Sequence, residues 1–363
     1  MAYTIIDNSE EYFKCVQWTG NGSEPRNIDV GFQTDINWIK DCTVAYHHRF
    51  FDSSRGGAPL YPNTDITEDS ANDGPELDYS SPYSNGFKII DNPDGATNSY
   101  GVNMNTNLMT SWNWKCNGGT TSTNTDGDIN STVQVNQDAG LSIVTYSPSN
   151  ATPRNIGHGL GGTPDFIVVR ARNRQETWRT SWGIKNWGGM AWNEEYPYNT
   201  TSTALCTGAS STTFGVGTDW SVNGNFNYIA YVWKAIKGFS KFSVYDGNGN
   251  ANGPFIYTGF KPAWFMIKRS AVAGENWYMY DNKRPNAFNP NNPMQTTQMM
   301  KQMPAQGGLM GFLRDPRTRN VLSALSRTNT GAKLNQISQA DMATQQTRQV
   351  ANRTAQYLRT QEG

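Results

Sequence analysis

The sequence predicts an all-β protein of tandem β-sandwich repeats, of jelly-roll or lectin-like type, followed by an extended and α-helical C-terminal tail. Three observations predict it. The 363 residues include 35 Gly and 12 Trp and are 12% aromatic but only 17% charged; with their many Asn, Ser and Thr, they favour short strands joined by many turns. A segment near the start recurs twice further along the chain. Residues 294–363 differ in composition and charge from everything before them.

The repeat is the strongest of these signals. Residues 13–40 read FKCVQWTGNGSEPRNIDVGFQTDINWIK, and residues 141–170 read LSIVTYSPSNATPRNIGHGLGGTPDFIVVR. Phe13 falls on Leu141, Val16 on Val144 and Trp18 on Tyr146, and the run Pro25-Arg26-Asn27-Ile28 returns as Pro153-Arg154-Asn155-Ile156. Gly31, Asp35, Ile39 and Lys40 then fall on Gly159, Asp165, Val169 and Arg170. A third copy starts at residue 239, where Tyr245-Asp246-Gly247-Asn248-Gly249 answers Trp18-Thr19-Gly20-Asn21-Gly22. Gly259-Phe260 answers Gly31-Phe32, Ile267-Lys268 answers Ile39-Lys40, and Asp281 and Arg284 answer Asp52 and Arg55.

The first two copies also end alike: LMTSWNWKC at 108–116 and YIAYVWKA at 228–235 put Trp114-Lys115 on Trp233-Lys234. These are alternating apolar segments of strand length. No such closing strand follows residue 284, so the third copy reads as truncated, with an edge to be covered. The expected organisation is a first sandwich repeat at 1–116, a polar linker at 117–137, a second repeat at 138–237, a truncated third at 238–284 and a C-terminal anchor at 285–363. In the first strand Phe13, Cys15 and Gln17 face one way and Lys14, Val16 and Trp18 the other. Apolar groups on both sides fit a strand inside a packed structure better than one with a wet face.

After Pro285 the chain turns rich in Pro, Asn, Gln and Met and reads as extended. Asp315-Pro316 then offers an N-cap and a first-turn proline for a helix that ends near Asn329–Gly331, with Val321, Leu322 and Leu325 on one face. Residues 334–358 are compatible with a helix, but their apolar seam of Ile337, Val350, Tyr357 and Leu358 is sparse, and such a helix needs a partner surface. The candidate anchoring residues are Met299, Met303, Phe312, Val321, Leu325, Ile337, Val350 and Tyr357, the methionines supplying an adaptable contact. Residues 294–363 carry nine Lys or Arg against three acidic residues, a surplus that the rest of a net-neutral chain offsets. A solvated basic tail is the plain reading of this segment; an anchor that orders on a partner is the functional one. Nucleic acid is not an expected partner, because the tail lacks a dense Lys/Arg block and has one aromatic beyond residue 313.

Enzyme chemistry has no visible address: there is no GxSxG, HExxH or GxxxxGK[ST] pattern. His47 and His48, adjacent in a strand, point to opposite faces and cannot share a metal, and His158 sits in a turn. Cys15, Cys42, Cys116 and Cys206 lack CxxC spacing and read as buried free thiols. Acidic loops at 65–78 and 124–128 offer oxygen ligands to Ca²⁺ but lack EF-hand spacing, and solvation explains them equally well. Neither a metal nor another cofactor is expected. The best binding candidate is the run WRTSWGIKNWGGMAWNEEYPYN, in which Trp182, Trp187, Trp192, Tyr196 and Tyr198 supply flat apolar faces of the kind sugar rings and proteins use. Burial of two or three of these rings in the core is the competing reading.

The phrases YFKCVQWTGNG, IDVGFQTDINWIK, FDSSRG, SWNWKC, DAGLSIVTYS, IGHGLGGTPDFIVV and GFSKFSVYDGNGNANGPFIYTGF resemble a repeat family found in virion proteins of marine tailed bacteriophages. In that family, modules with WTGNG-like starts, an IxHxLG-like turn and a W-x-W-K-like end occur in tandem. The resemblance covers about residues 11–284 and implies concanavalin-like β-sandwiches on tail or fibre-like proteins. It implies a non-enzymatic virion structural protein of the tail or fibre apparatus, its repeats turned outward and its tail holding other virion proteins. The implied state is a homo-oligomer within the virion, made in the bacterial host cytoplasm, with a host surface glycan as a candidate ligand. The start MAYTIIDNSEEYFK lacks a basic-then-apolar leader and no stretch reaches about 20 apolar residues, so no membrane span is expected. Two other readings stay open, a head decoration protein gripping the capsid and a glycan-binding lectin module; a polysaccharide hydrolase ranks below both. The truncated third repeat departs from the family pattern and favours a component docked on the particle over a free-standing fibre.

Overall fold

The computed structural model describes residues 4–68, 76–90, 101–199, 205–250 and 253–284. The expected C-terminal helices and the eight anchor candidates, Met299, Met303, Phe312, Val321, Leu325, Ile337, Val350 and Tyr357, lie outside the described residues.

The described chain is all-β and built from several antiparallel sheets. It runs first through β1 (Phe13–Thr19), β2 (Arg26–Asp29), β3 (Ile36–Asp41), β4 (Arg49–Asp52), β5 (Gly56–Leu60), β6 (Glu76–Leu77), β7 (Gly86–Ile90) and β8 (Leu108–Trp114). These strands form a five-stranded sheet of order β1-β8-β3-β4-β5 and a three-stranded sheet of order β2-β7-β6. After β9 (Ser122–Asn124) and β10 (Ser131–Asn136) the same succession returns as β11 (Leu141–Tyr146), β12 (Arg154–Gly157), β13 (Phe166–Ala171), β14 (Arg179–Trp182), β15 (Gly189–Ala191), β16 (Cys206–Ala209), β17 (Thr213–Val216) and β18 (Tyr228–Trp233). The second module's sheets have the orders β15-β14-β13-β18-β11-β10-β9 and β12-β17-β16. Each strand of the first module therefore has its counterpart ten strands later.

Register repeats along with order. Ile36 faces Trp114 across β3 and β8 as Phe166 faces Trp233 across β13 and β18. The matched aspartates explain why. The Asp35 amide donates to the Trp114 carbonyl at 2.8 Å and its carboxylate accepts the Cys116 amide at 2.6 Å. Asp165 does the same with the Trp233 carbonyl at 2.8 Å and the Ala235 amide at 2.6 Å. Each ties the start of one central strand to the exit of the closing strand and satisfies donors that burial would otherwise orphan.

Alternation along these strands builds two kinds of core. Within the first module Trp18, Ile28, Ile39, Phe51, Phe87 and Met109 fill the space between its two sheets. Within the second, Val144, Ile156, Val169, Phe214 and Val232 do the same. The opposite faces of the two larger sheets meet each other: Cys15, Trp38, Phe50 and Trp112 of the first module pack with Ile143, Trp178, Ile229 and Tyr231 of the second. This is why both faces of the first strand carry apolar residues. The two modules stand back to back, a small sheet outermost on each side.

Two features differ from the sequence reading. Residues 117–137, expected as a polar linker, contain β9 and β10, which extend the second module's large sheet beyond β11. The third repeat is represented by a hairpin, β19 (Trp264–Ile267) and β20 (Tyr278–Asp281), forming a two-stranded sheet. Trp264 faces Asp281 and Met266 faces Met279, the register in which Ile36 faces Asp52 and Trp38 faces Phe50. The hairpin is thus a third copy of β3–β4. Trp264, Met266 and Met279 pack against the core shared by the other two repeats. Among the described residues, residues 239–246, matched in sequence to β1, form no strand. Tyr245 is accordingly 46% exposed where its counterpart Trp18 is 9%, and Ile256 is 37% exposed where Ile28 is 4%.

The shared core sets a first expectation. Trp178 is fully buried, its ring 5.9 Å from Phe50 and 6.4 Å from Tyr231, with Nε1 donating to the Tyr61 carbonyl at 2.9 Å. Trp178→Ala is expected to lower stability by about 3–5 kcal/mol in urea titrations, and Trp112→Ala on the facing sheet by a similar amount.

Candidate functional site

Among the described residues, aromatic rings and paired charges gather where the three repeats meet. Trp192 leaves the turn after β15 and stacks on Trp38 at 5.0 Å and on Trp178 at 5.6 Å. Phe50 meets Trp38 edge-on at 5.4 Å and Tyr231 at 4.8 Å. Offset and edge-on rings at these separations add to the burial term and fix the orientation of the two sheets. Trp38 Nε1 donates to His48 Nδ1 at 2.9 Å, which requires that nitrogen to be unprotonated.

Beside the rings runs a chain of charged groups. Asp52 Oδ2 accepts Arg55 Nε at 2.5 Å and the Tyr231 hydroxyl at 2.6 Å. Arg55 Nη1 donates to Glu68 Oε1 at 2.5 Å, and Glu68 Oε2 accepts Arg172 Nε at 2.5 Å. The path Tyr231–Asp52–Arg55–Glu68–Arg172 leaves the second module, crosses the first and returns. Burial on its own would raise the Glu68 carboxyl; Arg55 and Arg172 hold it below the usual carboxylate range.

The third repeat carries the same clasp. Arg284 Nε reaches Asp281 Oδ2 at 2.5 Å, while Asp281 Oδ1 takes the amides of Lys283 and Arg284, as Asp52 Oδ1 takes those of Ser54 and Arg55. Asp281 Oδ2 also accepts Trp112 Nε1 at 3.2 Å. Trp112 and Tyr231 occupy the same position in β8 and β18, opposite Trp38 and Val168. Each clasp therefore receives a hydrogen bond from the closing strand of a different repeat. In the second repeat the position of Asp52 is taken by Trp182, which faces Phe166. That substitution of a ring for a carboxylate leaves the second repeat without a clasp of its own.

The five aromatic candidates of the second repeat do not form one face. Trp182 is buried against Phe166 and Tyr198, at 6.0 and 5.2 Å. Trp187 packs on the second module's inner core, and Trp192 belongs to the junction. Tyr198 is half-buried and donates its hydroxyl to the Lys185 carbonyl. Tyr196, at 64% exposure, is the member of the set that offers a ring to water. Left-handed backbone at Asn186 and Trp187 folds the turn back on the sheet, so rings spaced along the sequence reach different environments. Among the described residues, the exposed rings that sequence reasoning missed are Trp220, Tyr245, Phe255, Tyr257 and Tyr278. Four of the five belong to the third repeat, and the signal for them was its missing closing strand.

His158 is buried and its Nδ1 accepts the Leu160 amide at 3.1 Å, holding the turn of that repeat. Cys15, Cys116 and Cys206 are buried free thiols, and Cys42 is an exposed one. In the acidic loops the Asp65 carbonyl accepts from Arg170, Asp78 accepts Lys88 Nζ at 2.6 Å, and Asp128 accepts the Asn155 amide at 2.6 Å. Among the described residues no group of three His, Cys, Asp or Glu side chains could hold a metal, and no helix is long and apolar enough to cross a membrane.

Two expectations follow from this geometry. Asp52→Ala leaves the Arg55 guanidinium buried beside Tyr231 and is expected to cost about 3–5 kcal/mol, whereas Asp281→Ala, beside the partly exposed Arg284, costs less; chemical denaturation of the two variants checks the order. Burial, with Lys40, Arg284 and His47 adding to it, pulls His48 down to about 3 from the ordinary 6.5. The unfolded chain then binds the extra proton first as pH falls, so stability present above pH 6.5 is lost progressively toward pH 3. Between pH 6.5 and 4.5, before most carboxylates titrate, the melting temperature of His48→Asn is expected to fall less steeply than that of the parent chain.

No curated protein and no solved structure matches this chain. A family described as a domain of unknown function, DUF7483, matches residues 8–313. That span takes in both complete modules, the third hairpin and the junction at which they meet, and the chain is a member of the DUF7483 family.

Proposed function

We propose that this chain is a non-enzymatic structural protein of a tailed-phage virion, its concanavalin-like or jelly-roll repeats forming a stiff body of the tail or fibre apparatus and residues 285–363 attaching it to neighbouring virion proteins. One observation carries the reading. The third repeat leaves Tyr245 and Ile256 turned to water where their counterparts Trp18 and Ile28 are buried, and Phe255 and Tyr257 on either side of Ile256 are exposed with it, Phe255 at 89%. Exposed aromatics gathered on an unfinished sheet unit mark a contact surface. The rigid junction suits a part that transmits position, and several copies on one particle would raise avidity without a tight single site. A glycan-binding lectin role is the second reading, favoured by the exposed ring of Tyr196 beside the polar turn that follows β15.

Mass spectrometry and antibody labelling of purified particles test the first reading, with the chain expected as a stoichiometric component. Deleting residues 285–363 is expected to abolish incorporation, and the double substitution Phe255→Ser with Tyr257→Ser to reduce it while the far-ultraviolet dichroism stays unchanged. Particles that lack the protein would overturn the virion role. A glycan array with the full chain separates the lectin reading, which needs clear hits that Tyr196→Ser removes.

A further inference from the structure

The two complete modules differ at one edge. In the second, β11 is flanked by β18 on one side and β10 on the other; in the first, the counterpart of β11 is β1, and among the described residues its strand neighbour is β8 alone. β10 runs antiparallel to β11, with Val133 opposite Val144 and Val135 opposite Ser142. The matching residues on β1 are Val16 and Lys14. Hydrogen bonds from the Lys115 amide to the Tyr12 carbonyl and from the Gly20 amide to the Asn107 carbonyl bracket the β1–β8 ladder. Even-numbered residues of β1 therefore exchange bonds with β8, and Cys15 and Gln17 direct their backbone groups away from it, along the outer edge.

The space beside this edge matches what β10 fills. A Cβ on Gly159 would meet Val133 and Val135 at 3.6 and 3.7 Å; a Cβ on its counterpart Gly31 would meet the Lys14 Nζ alone, at 3.4 Å. Where the second module holds two valine side chains, the first has an open groove of about 450 Å³ lined by Lys14, Val16, Asp29, Val30, Gly31 and Lys283 among others. Lys14 also makes a partly exposed ion pair with Glu10 at 3.6 Å.

We propose that the outer edge of β1 accepts an extended strand from a separate polypeptide, antiparallel to β1, in the place β10 occupies in the second module. The incoming strand presents an apolar side chain opposite Val16, over Gly31, and an acidic one opposite Lys14, within reach of Lys283. Backbone hydrogen bonds to Cys15 and Gln17 supply affinity, and the two facing side chains supply selectivity. The edge is then a socket; left uncovered it would be the kind of strand that invites non-specific pairing. This inference stands independently of the virion reading.

Two synthetic peptides probe it on the full-length chain: Ser-Thr-Val-Gln-Val-Asn-Gln, the sequence of residues 131–137, and the same peptide with V135E. Hydrogen–deuterium exchange is expected to slow at the Cys15 and Gln17 amides on adding either peptide. The V135E peptide is expected to act at about threefold lower concentration, the worth of a partly exposed ion pair, and that advantage should vanish in Lys14→Ser. Absence of protection at millimolar peptide, equal protection at the edges of β5 and β15, or an advantage that survives Lys14→Ser overturns the proposal. So does protection that grows with protein concentration alone, which would assign the edge to a second copy, or exchange already slow without peptide, which would assign it to the chain's own residues.

Discussion

The central sheets of the two modules are buried on both faces, and most of the architecture follows from that constraint. A sheet with one wet face needs one apolar set of side chains; here β1, β3, β8, β11, β13 and β18 each need two. One set closes the module, the other closes the molecule. Large rings such as Trp38, Trp112 and Trp178 serve on the shared side because the gap between two sheets leaves room for them and because edge-on and stacked contacts fix how the sheets lie. Burial on both faces also limits where charge can go. Asp52 and Arg55 are tolerated inside only because each is paired and the remaining lone pairs and protons are used by Tyr231, Glu68 and backbone amides.

The repeated clasp shows how one device serves two purposes. In the first and third repeats an aspartate at the end of the hairpin organises the following turn by accepting its backbone amides on Oδ1 and offers Oδ2 to the closing strand of another repeat. The contact between repeats is therefore specified by residues that the local hairpin already requires. The second repeat, with Trp182 in that place, contributes ring area in place of a carboxylate. Among the described residues the third repeat forms no strand at 239–246, yet its hairpin keeps its seat on the shared core through Trp264, Met266 and Met279.

Much of this was legible in the residues. The Pro-Arg-Asn-Ile run, the matched Asp35 and Asp165, and the Trp-Lys closing strands located equivalent positions, and the sheets reproduce that alignment in register. Apolar residues on both sides of β1 announced a strand with two buried faces. The linker was misread because Gly, Asn, Thr and Asp dominate 117–137; the short alternation at Val133 and Val135 was the sign of β10, too brief to outweigh its surroundings. The aromatic cluster of the second repeat was assigned as a unit because its rings lie close together in the sequence, but closeness in sequence cannot say which way a turn with left-handed residues folds. Trp192 thus went to the junction and Trp182 to the sheet, leaving Tyr196 outside. The ion-pair path through Glu68 was signalled only by the recurrence of Asp52 and Arg55 as Asp281 and Arg284; Arg172 and Tyr231 are far along the chain from their partners and reach them only when the modules meet.

If the shared core is what makes one body of the two modules, they cannot melt separately. Differential scanning calorimetry of the full chain at neutral pH measures this most directly. A single transition across residues 4–284, with van't Hoff and calorimetric enthalpies in agreement, is the predicted result. Two resolved transitions, one shifted by a substitution in the first module's inner core and the other by one in the second's, would contradict it.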